Sequence, residues 1–257
     1  MAEPDAGTQL TLLGSTDTVD ASRLAGLYAY PDDLEKCWVR SNFIVTLDGG
    51  ATADGKSGGL AGPGDRLLFM LMRELADVVV VGAGTVRTEN YGGAQLSVAS
   101  RQARQARGQA ELPPIAIVTR SGRLERDMKV FTQTEVPPLV LTCRAAVGVA
   151  HGYVGDAAEV LDCSGADPDD VDTAAALSTL AARGLCRVLT EGGPQLHGSF
   201  IAADLLDELC FTLAPALVGG PARRIATGPV QVHSPMQRAH LLADEAGYLY
   251  SRYVRRR

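Results

Sequence analysis

Apolar residues come in short unbroken runs divided by polar and glycine-rich stretches, and the runs have the length of strands. DVVVV (Asp77–Val81), IAIVT (Ile115–Thr119), LVLT (Leu139–Thr142) and RVLT (Arg187–Thr190) are the clearest. A strand without polar alternation has both faces covered, as a central parallel strand requires. Trp38–Leu47 (WVRSNFIVTL) predicts another strand, ending at the turn Asp48-Gly49-Gly50. Val160–Asp162 and Leu209–Leu213 add two more, and residues 236–255 predict a terminal pair. Helical spacing intervenes: Gly62-Pro63-Gly64-Asp65 opens a helix carrying Leu67, Leu68, Leu71, Met72 and Leu75. A second helix is predicted over Asp167–Arg183, with acidic residues in its first turn where the dipole favours them, and a third over Pro194–Ala203. Residues 94–112 are polar and read as a surface insertion or helix, and Ala21–Tyr28 as a short helix within an N-terminal arm, residues 1–35. Strands alternating with helices, then strands alone, predict an α/β fold with a mostly parallel sheet and antiparallel C-terminal strands. No linker or composition break divides the rest, so residues 36–257 are expected to form a single domain.

Composition narrows the function classes. The chain has 257 residues and is 46% hydrophobic, enough for a sizeable core. A formal charge of −6 makes it a poor general binder of nucleic acid, whose affinity rests on neutralised phosphates. No apolar run nears the roughly 20 residues that span a bilayer, so no membrane partner is expected. The acidic start MAEPDAGTQL lacks the pattern of a leader, and a cytoplasmic location is expected. Five cysteines without a C-x-x-C pair and four scattered histidines predict neither a disulfide framework nor a metal site.

The chemistry gathers at strand ends, where open α/β sheets bind ligands. Gly82-Ala83-Gly84-Thr85 begins like a dinucleotide fingerprint but has Arg87 at the third glycine position, so it matches only in part. A glycine corner entering a helix still offers backbone N–H groups to an anion, or is a plain turn. The corner Glu191-Gly192-Gly193-Pro194 is stronger. Two glycines let a flat ligand or a pyrophosphate lie against the backbone, and Pro194 suits a first helical position. Glu191 is costly to bury unpaired, so it needs a substrate or a cationic side chain as partner. Arg120 and Ser121 follow a strand and suit a phosphate, or form a solvated loop. TADGKSGGLAGPGD is too rich in glycine to pack a core and reads as a loop that could carry function.

In this order, Val45-Thr46-Leu47-Asp48-Gly49, Val81-Gly82-Ala83-Gly84-Thr85-Val86, Glu191-Gly192-Gly193-Pro194, and Leu206-Asp207-Glu208-Leu209 followed by Ala214-Pro215-Ala216-Leu217-Val218-Gly219-Gly220 resemble the pyrimidine reductase family of riboflavin biosynthesis. The likeness covers roughly residues 38–255. It implies a three-layer α/β/α, dihydrofolate-reductase-like fold, NADPH as cofactor, a small-molecule substrate and a homodimer. By the same resemblance Phe43, Gly59, Gly82, Gly84, Thr85, Glu89, Ser121, Gly192, Gly193, Pro194, Gln195 and Leu196 would contact the cofactor. Ser57, Arg73 and Glu191 would bind substrate, with Arg73 on its phosphate, and Glu191 and Asp48 would be catalytic. The chain departs from the family on the substrate side. Glu89-Asn90-Tyr91-Gly92-Gly93 replaces Asp-Asp-Pro, Gly59 replaces a tryptophan, Asn42 stands where bacterial members have lysine and archaeal members asparagine, and Arg101 lacks the spacing of a second substrate arginine.

The implied activity is an NADPH-dependent reduction of 5-amino-6-(5-phosphoribosylamino)uracil, with hydride delivered to C1′ of the ribosyl group. The altered loop leaves two alternatives open: reduction of dihydrofolate or another pteridine, or an NADPH-binding paralogue without turnover.

Overall fold

A computed structural model describes residues 18–256; residues 1–17 of the expected arm, and Arg257, lie outside the described residues. Among the described residues nine strands form one sheet in the order β5-β4-β3-β2-β6-β1-β7-β9-β8. They are β1 (Trp38–Thr46), β2 (Val78–Gly82), β3 (Ile115–Thr119), β4 (Leu139–Thr142), β5 (Glu159–Asp162), β6 (Arg187–Thr190), β7 (Glu208–Ala214), β8 (Met236–Ala243) and β9 (Leu249–Arg255). The pairings from β5 across to β7 are parallel, and those of β7 with β9 and β9 with β8 are antiparallel, as the hydrophobic pattern predicts.

Alternation along each central strand sorts side chains into two layers. On β2, Val79 and Val81 join Leu68, Met72 and Leu75 of α2 (Pro63–Leu75) and Val86 of α3 (Ala83–Glu89), together with Leu24 of α1 (Ala21–Leu27). Val78 and Val80 face the other way, onto Leu177 and Leu180 of α7 (Thr173–Ala181) and Phe200 of α8 (Pro194–Ala202). A sheet with apolar layers on both faces gives the three-layer α/β/α, dihydrofolate-reductase-like architecture that the resemblance implies.

Element limits shift for local reasons. The second predicted helix starts at Thr173, because the Asp172 carboxylate accepts from the N–H groups of Ala174 and Ala175 and caps it. Asp167, Asp169 and Asp170 stay in the preceding loop, accepting from or lying beside backbone N–H groups there. Within 94–112 only α4 (Val98–Ala106) is helical, capped by Ser97. Its buried Arg104 reaches across to the carbonyls of Arg73, Glu74 and Ala76, the end of α2 that lacks intrahelical partners. Two further helices, α5 (Lys129–Thr132) and α6 (Val147–Val154), lie where no helix is predicted.

At the amino edge of the parallel strands, Glu208 is sealed among donors. Arg40 Nε stands 2.5 Å and Arg252 Nε 2.8 Å from its Oε1, and Trp38 Nε1 stands 3.0 Å from Oε2. Arg252 also donates to the carbonyl of Leu27, fastening the segment after α1 to the sheet.

Candidate functional site

The carboxyl ends of β1, β2, β3 and β6 open on two cavities of ≈ 340 Å³ and ≈ 1240 Å³. Phe43, Ala51, Ser57, Thr85, Glu89 and Glu191 line both, so the two share a wall.

The larger cavity is built on glycine contact. Gly82 N–H donates to the Gly192 carbonyl at 3.1 Å, and Glu191 N–H to the Val80 carbonyl at 3.2 Å, so the corners after β2 and β6 lie against each other. A Cβ on Gly193 would stand 3.5 Å from Gly82 Cα, and one on Gly192 3.1 Å from Thr85 Cγ2. Both residues have positive φ, +99° at Gly193 and +144° at Gly192, which disfavours a side chain there in any case. Pro194 then opens α8, whose first-turn N–H groups on Gln195 and Leu196 have no acceptor in the preceding turn. Arg120 and Ser121 after β3, and Arg223 and Arg224 after β7, line the same cavity. Free N–H groups, the helix dipole and guanidinium groups together suit an elongated anion.

The segment carrying Arg223 and Arg224 is tied to α8. Thr227 N–H donates to the Pro194 carbonyl at 2.9 Å, and His197 Nδ1 lies 3.1 Å from the Ile225 carbonyl. Burial pulls the His197 pKa down to about 4, so this imidazole is neutral near pH 7. Its ring lies 4.5 Å from that of Phe43 and backs the shared wall.

The smaller cavity is the acidic one. Asp65, Glu89 and Glu191 line it, with Asn42, Phe69 and Tyr91, and Arg66 is the one guanidinium among its lining residues. Glu89 Oε1 accepts from Ser57 N–H at 2.9 Å and Ser57 O–H at 3.0 Å, which holds the glycine-rich loop against α3. Glu191 is buried, and its partner is a side chain. Arg73 Nε and Nη2 donate to its two oxygens at 2.7 and 2.6 Å, and Tyr91 O–H donates at 2.8 Å. Phe69 stacks on Arg73, its ring centroid 4.2 Å from Cζ. Burial works against the Arg73 charge, but the Glu191 carboxylate outweighs it and holds the guanidinium firmly protonated. Burial, and then Glu191, push the Tyr91 hydroxyl well above its ordinary range, so it stays a donor.

Thirteen of the sixteen site residues singled out from sequence line one or both cavities; Asp48, Gly59 and Arg73 do not. Asp48 sits in the exposed turn after β1, where it accepts from Thr46 O–H and from the N–H groups of Val218 and Gly219. Those bonds, that of Thr46 foremost, lower its pKa and spend it on the turn. Gly59 lies exposed in a single 3-10 turn, Gly58–Leu60. Arg73 stands behind Glu191. Asp65, Arg66, Phe69 and Tyr91 escaped the sequence reading. Spacing held a signal for two of them, because Arg66, Phe69 and Arg73 fall at i, i+3 and i+7 on one face of α2. Among the described residues no cluster of side chains could hold a metal ion, and no helix is long and apolar enough to cross a membrane.

The chain is similar to several known proteins. The riboflavin biosynthesis protein RibD of Bacillus amyloliquefaciens is 29% identical over 185 residues, covering 68% of this chain and 46% of RibD. The 2,5-diamino-6-ribosylamino-4(3H)-pyrimidinone 5′-phosphate reductase of Archaeoglobus fulgidus is 27% identical over 149 residues, 58% of this chain and 66% of that protein. The chain thus spans about half the length of the RibD proteins it matches. Among solved structures, a pyrimidine reductase-like protein from Corynebacterium diphtheriae superposes with a TM-score of 0.75 at 26% identity, over 86% of this chain and 92% of that one. The model of the RibD C-terminal domain matches residues 37–250, and with so much of its length matched this chain belongs to the RibD C-terminal domain family.

Proposed function

We propose that the chain is an NADPH-dependent reductase of a phosphoribosylamino-pyrimidine, with hydride transfer to C1′ of the ribosyl group. The observation that carries this reading is the shared wall. An elongated, donor-lined groove and a small acidic cavity meet at Phe43, Thr85, Glu89 and Glu191.

The residues present fit such a cofactor. The N–H groups of Gln195 and Leu196 at the start of α8, beside Gly193 and Pro194, would hold its pyrophosphate, and Arg120 and Ser121 its adenosine phosphate. When bound, NADPH supplies the hydride. Glu191 does the orienting on the substrate side. A carboxylate offers about four acceptor sites. Arg73 and Tyr91 fill three, which leaves one for an N–H of the pyrimidine edge. Because its carboxylate is held from behind, the accepted N–H is fixed in direction, and C1′ with it. As hydride adds to C1′ of the open-chain imine, the nitrogen takes a proton from water, giving the ribitylamino group. His197 is not that donor, being neutral near pH 7 and backed away behind Phe43.

A second reading, reduction of a pteridine such as dihydrofolate, is favoured by one observation. Arg73, implied as the phosphate contact, has its forked donors on Glu191, while three carboxylates face the cavity as acceptors for an amino-substituted ring. The test is NADPH oxidation at 340 nm with purified protein, offering 5-amino-6-(5-phosphoribosylamino)uracil and dihydrofolate in parallel. Turnover of the pyrimidine is the expected result. Turnover of dihydrofolate alone moves the protein to pteridine chemistry, and NADPH binding without either turnover makes it a non-catalytic paralogue.

A further inference from the structure

We infer that Arg66 takes the substrate's phosphate, and that Arg73 instead positions Glu191. This rests on the phosphoribosyl reading of the small cavity. A dianionic phosphate needs a guanidinium that is both exposed to the cavity and free to turn. Arg73 is neither. It does not line the cavity, both its forked donors are on Glu191, and Phe69 and Tyr91 lie over its guanidinium. Moving it to a phosphate would leave Glu191 buried with Tyr91 alone, at the cost of an unpaired buried charge.

Arg101 is spent elsewhere, forked onto Glu135 at 2.8 and 2.5 Å. Arg66 differs from both. It is exposed, it lines the cavity, and among the described residues its guanidinium makes one hydrogen bond, a 3.4 Å contact to the Ala61 carbonyl. Its neighbour Asp65 also lines the cavity, so the phosphate would draw Arg66 away from that carboxylate.

The spacing along α2 makes the division of labour geometric. Arg66 and Arg73 are seven residues apart, two turns along one face, so their backbones stand roughly 10 Å apart along the helix. Phe69 lies between them and stacks on Arg73, which keeps the two cations from sharing a ligand. A pyrimidine edge on Glu191 and a phosphate on Arg66 would then sit at the two ends of a five-carbon sugar chain lying over Phe69. The inner arginine fixes the acceptor for the ring, and the outer one reads the charge.

The experiment compares wild type, Arg66→Gln and Arg73→Gln on the phosphoribosylamino-pyrimidine and on its dephosphorylated counterpart. Wild type is expected to favour the phosphorylated substrate by about tenfold to a hundredfold in kcat/KM, the worth of one charge-assisted contact. Arg66→Gln should erase that preference through KM, bringing kcat/KM for the phosphorylated substrate down to that for the dephosphorylated one. Arg73→Gln should lower kcat on both substrates alike and keep the preference. If Arg66→Gln keeps the preference, or Arg73→Gln alone removes it, the assignment is wrong although the reductase reading stands. Thermal protection by ribose 5-phosphate gives a readout without turnover. If wild type reduces neither pyrimidine yet is protected, and Arg66→Gln is not, the reductase reading falls and Arg66 survives as a phosphate site. Equal protection of both proteins overturns the inference.

Discussion

Glu191 and Glu208 stand at opposite ends of the central parallel strands, and both are buried carboxylates paired with arginine. Glu208 opens β7 and is closed in by Arg40, Arg252, Trp38 and the Cys210 thiol. Glu191 follows β6 and has Arg73 and Tyr91 behind it, with a cavity in front. The first is saturated by the protein, and the second has one acceptor site to spare. Burial and ion pairing alone therefore do not mark a functional carboxylate; an unfilled site facing a cavity does.

The comparison breaks most sharply at Glu208. Glu208→Gln removes the charge that Arg40 and Arg252 share, and it should cost about 3–5 kcal/mol of stability in denaturant unfolding, since the buried Arg40 and the half-buried Arg252 both lose their partner. Activity per folded molecule should be unchanged. Glu191→Gln should do the reverse. Its stability cost should be smaller, because one guanidinium loses its partner there and two do at Glu208, while kcat/KM for the pyrimidine falls by about a hundredfold or more.

Acid separates the two ends of the strands as well. Burial raises the Glu208 pKa, but Arg40 and Arg252 outweigh it and hold the value near about 2, against an ordinary 4.5. A carboxylate depressed on folding contributes its stability above the unfolded value and loses it as pH falls toward the folded one. Glu208 should therefore lose about 3 kcal/mol between pH 4.5 and pH 2. His197, depressed by burial from 6.5 to about 4, binds its proton more readily when unfolded, so stability should begin to fall below pH 6.5. Unfolding midpoints measured from pH 7 to pH 2 should show both stages; His197→Phe should shrink the earlier one, and the remainder belongs to His240, which burial likewise pulls down to about 4.

Gly193→Ala adds a methyl at φ +99° beside Gly82 and should weaken NADPH binding about tenfold in a fluorescence titration, with pyrimidine affinity unaltered. Tyr91→Phe is the mildest test. It deletes one of the three donors on Glu191 and should cost about 1 kcal/mol, seen as a several-fold fall in kcat.

Most of the sheet could be read in advance because its signal is local. Runs such as Val78–Val81 can be little else than strands covered on both faces. α6 escaped because VGVAHGYV carries two glycines and has no polar face to give it a period. The glycine corners were readable for the same local reason as the strands. The pairing of Arg73 with Glu191 was not, since it joins residues 118 apart and only the packing of α2 against β6 brings them together. The sequence reading left Glu191 a choice between a substrate and a cationic side chain, and the fold supplies the side chain while leaving room for the other.

The back of the larger groove is main chain at Gly82, Gly192 and Gly193. A wall of this kind has nothing to truncate, so an alanine scan, which maps sites by subtraction, would register these positions only as additions. Drift across the wall runs in one direction, toward a narrower groove. Selection for a different cofactor would have to act at the rim, on Arg120, Ser121 and Arg224, where there are atoms to exchange.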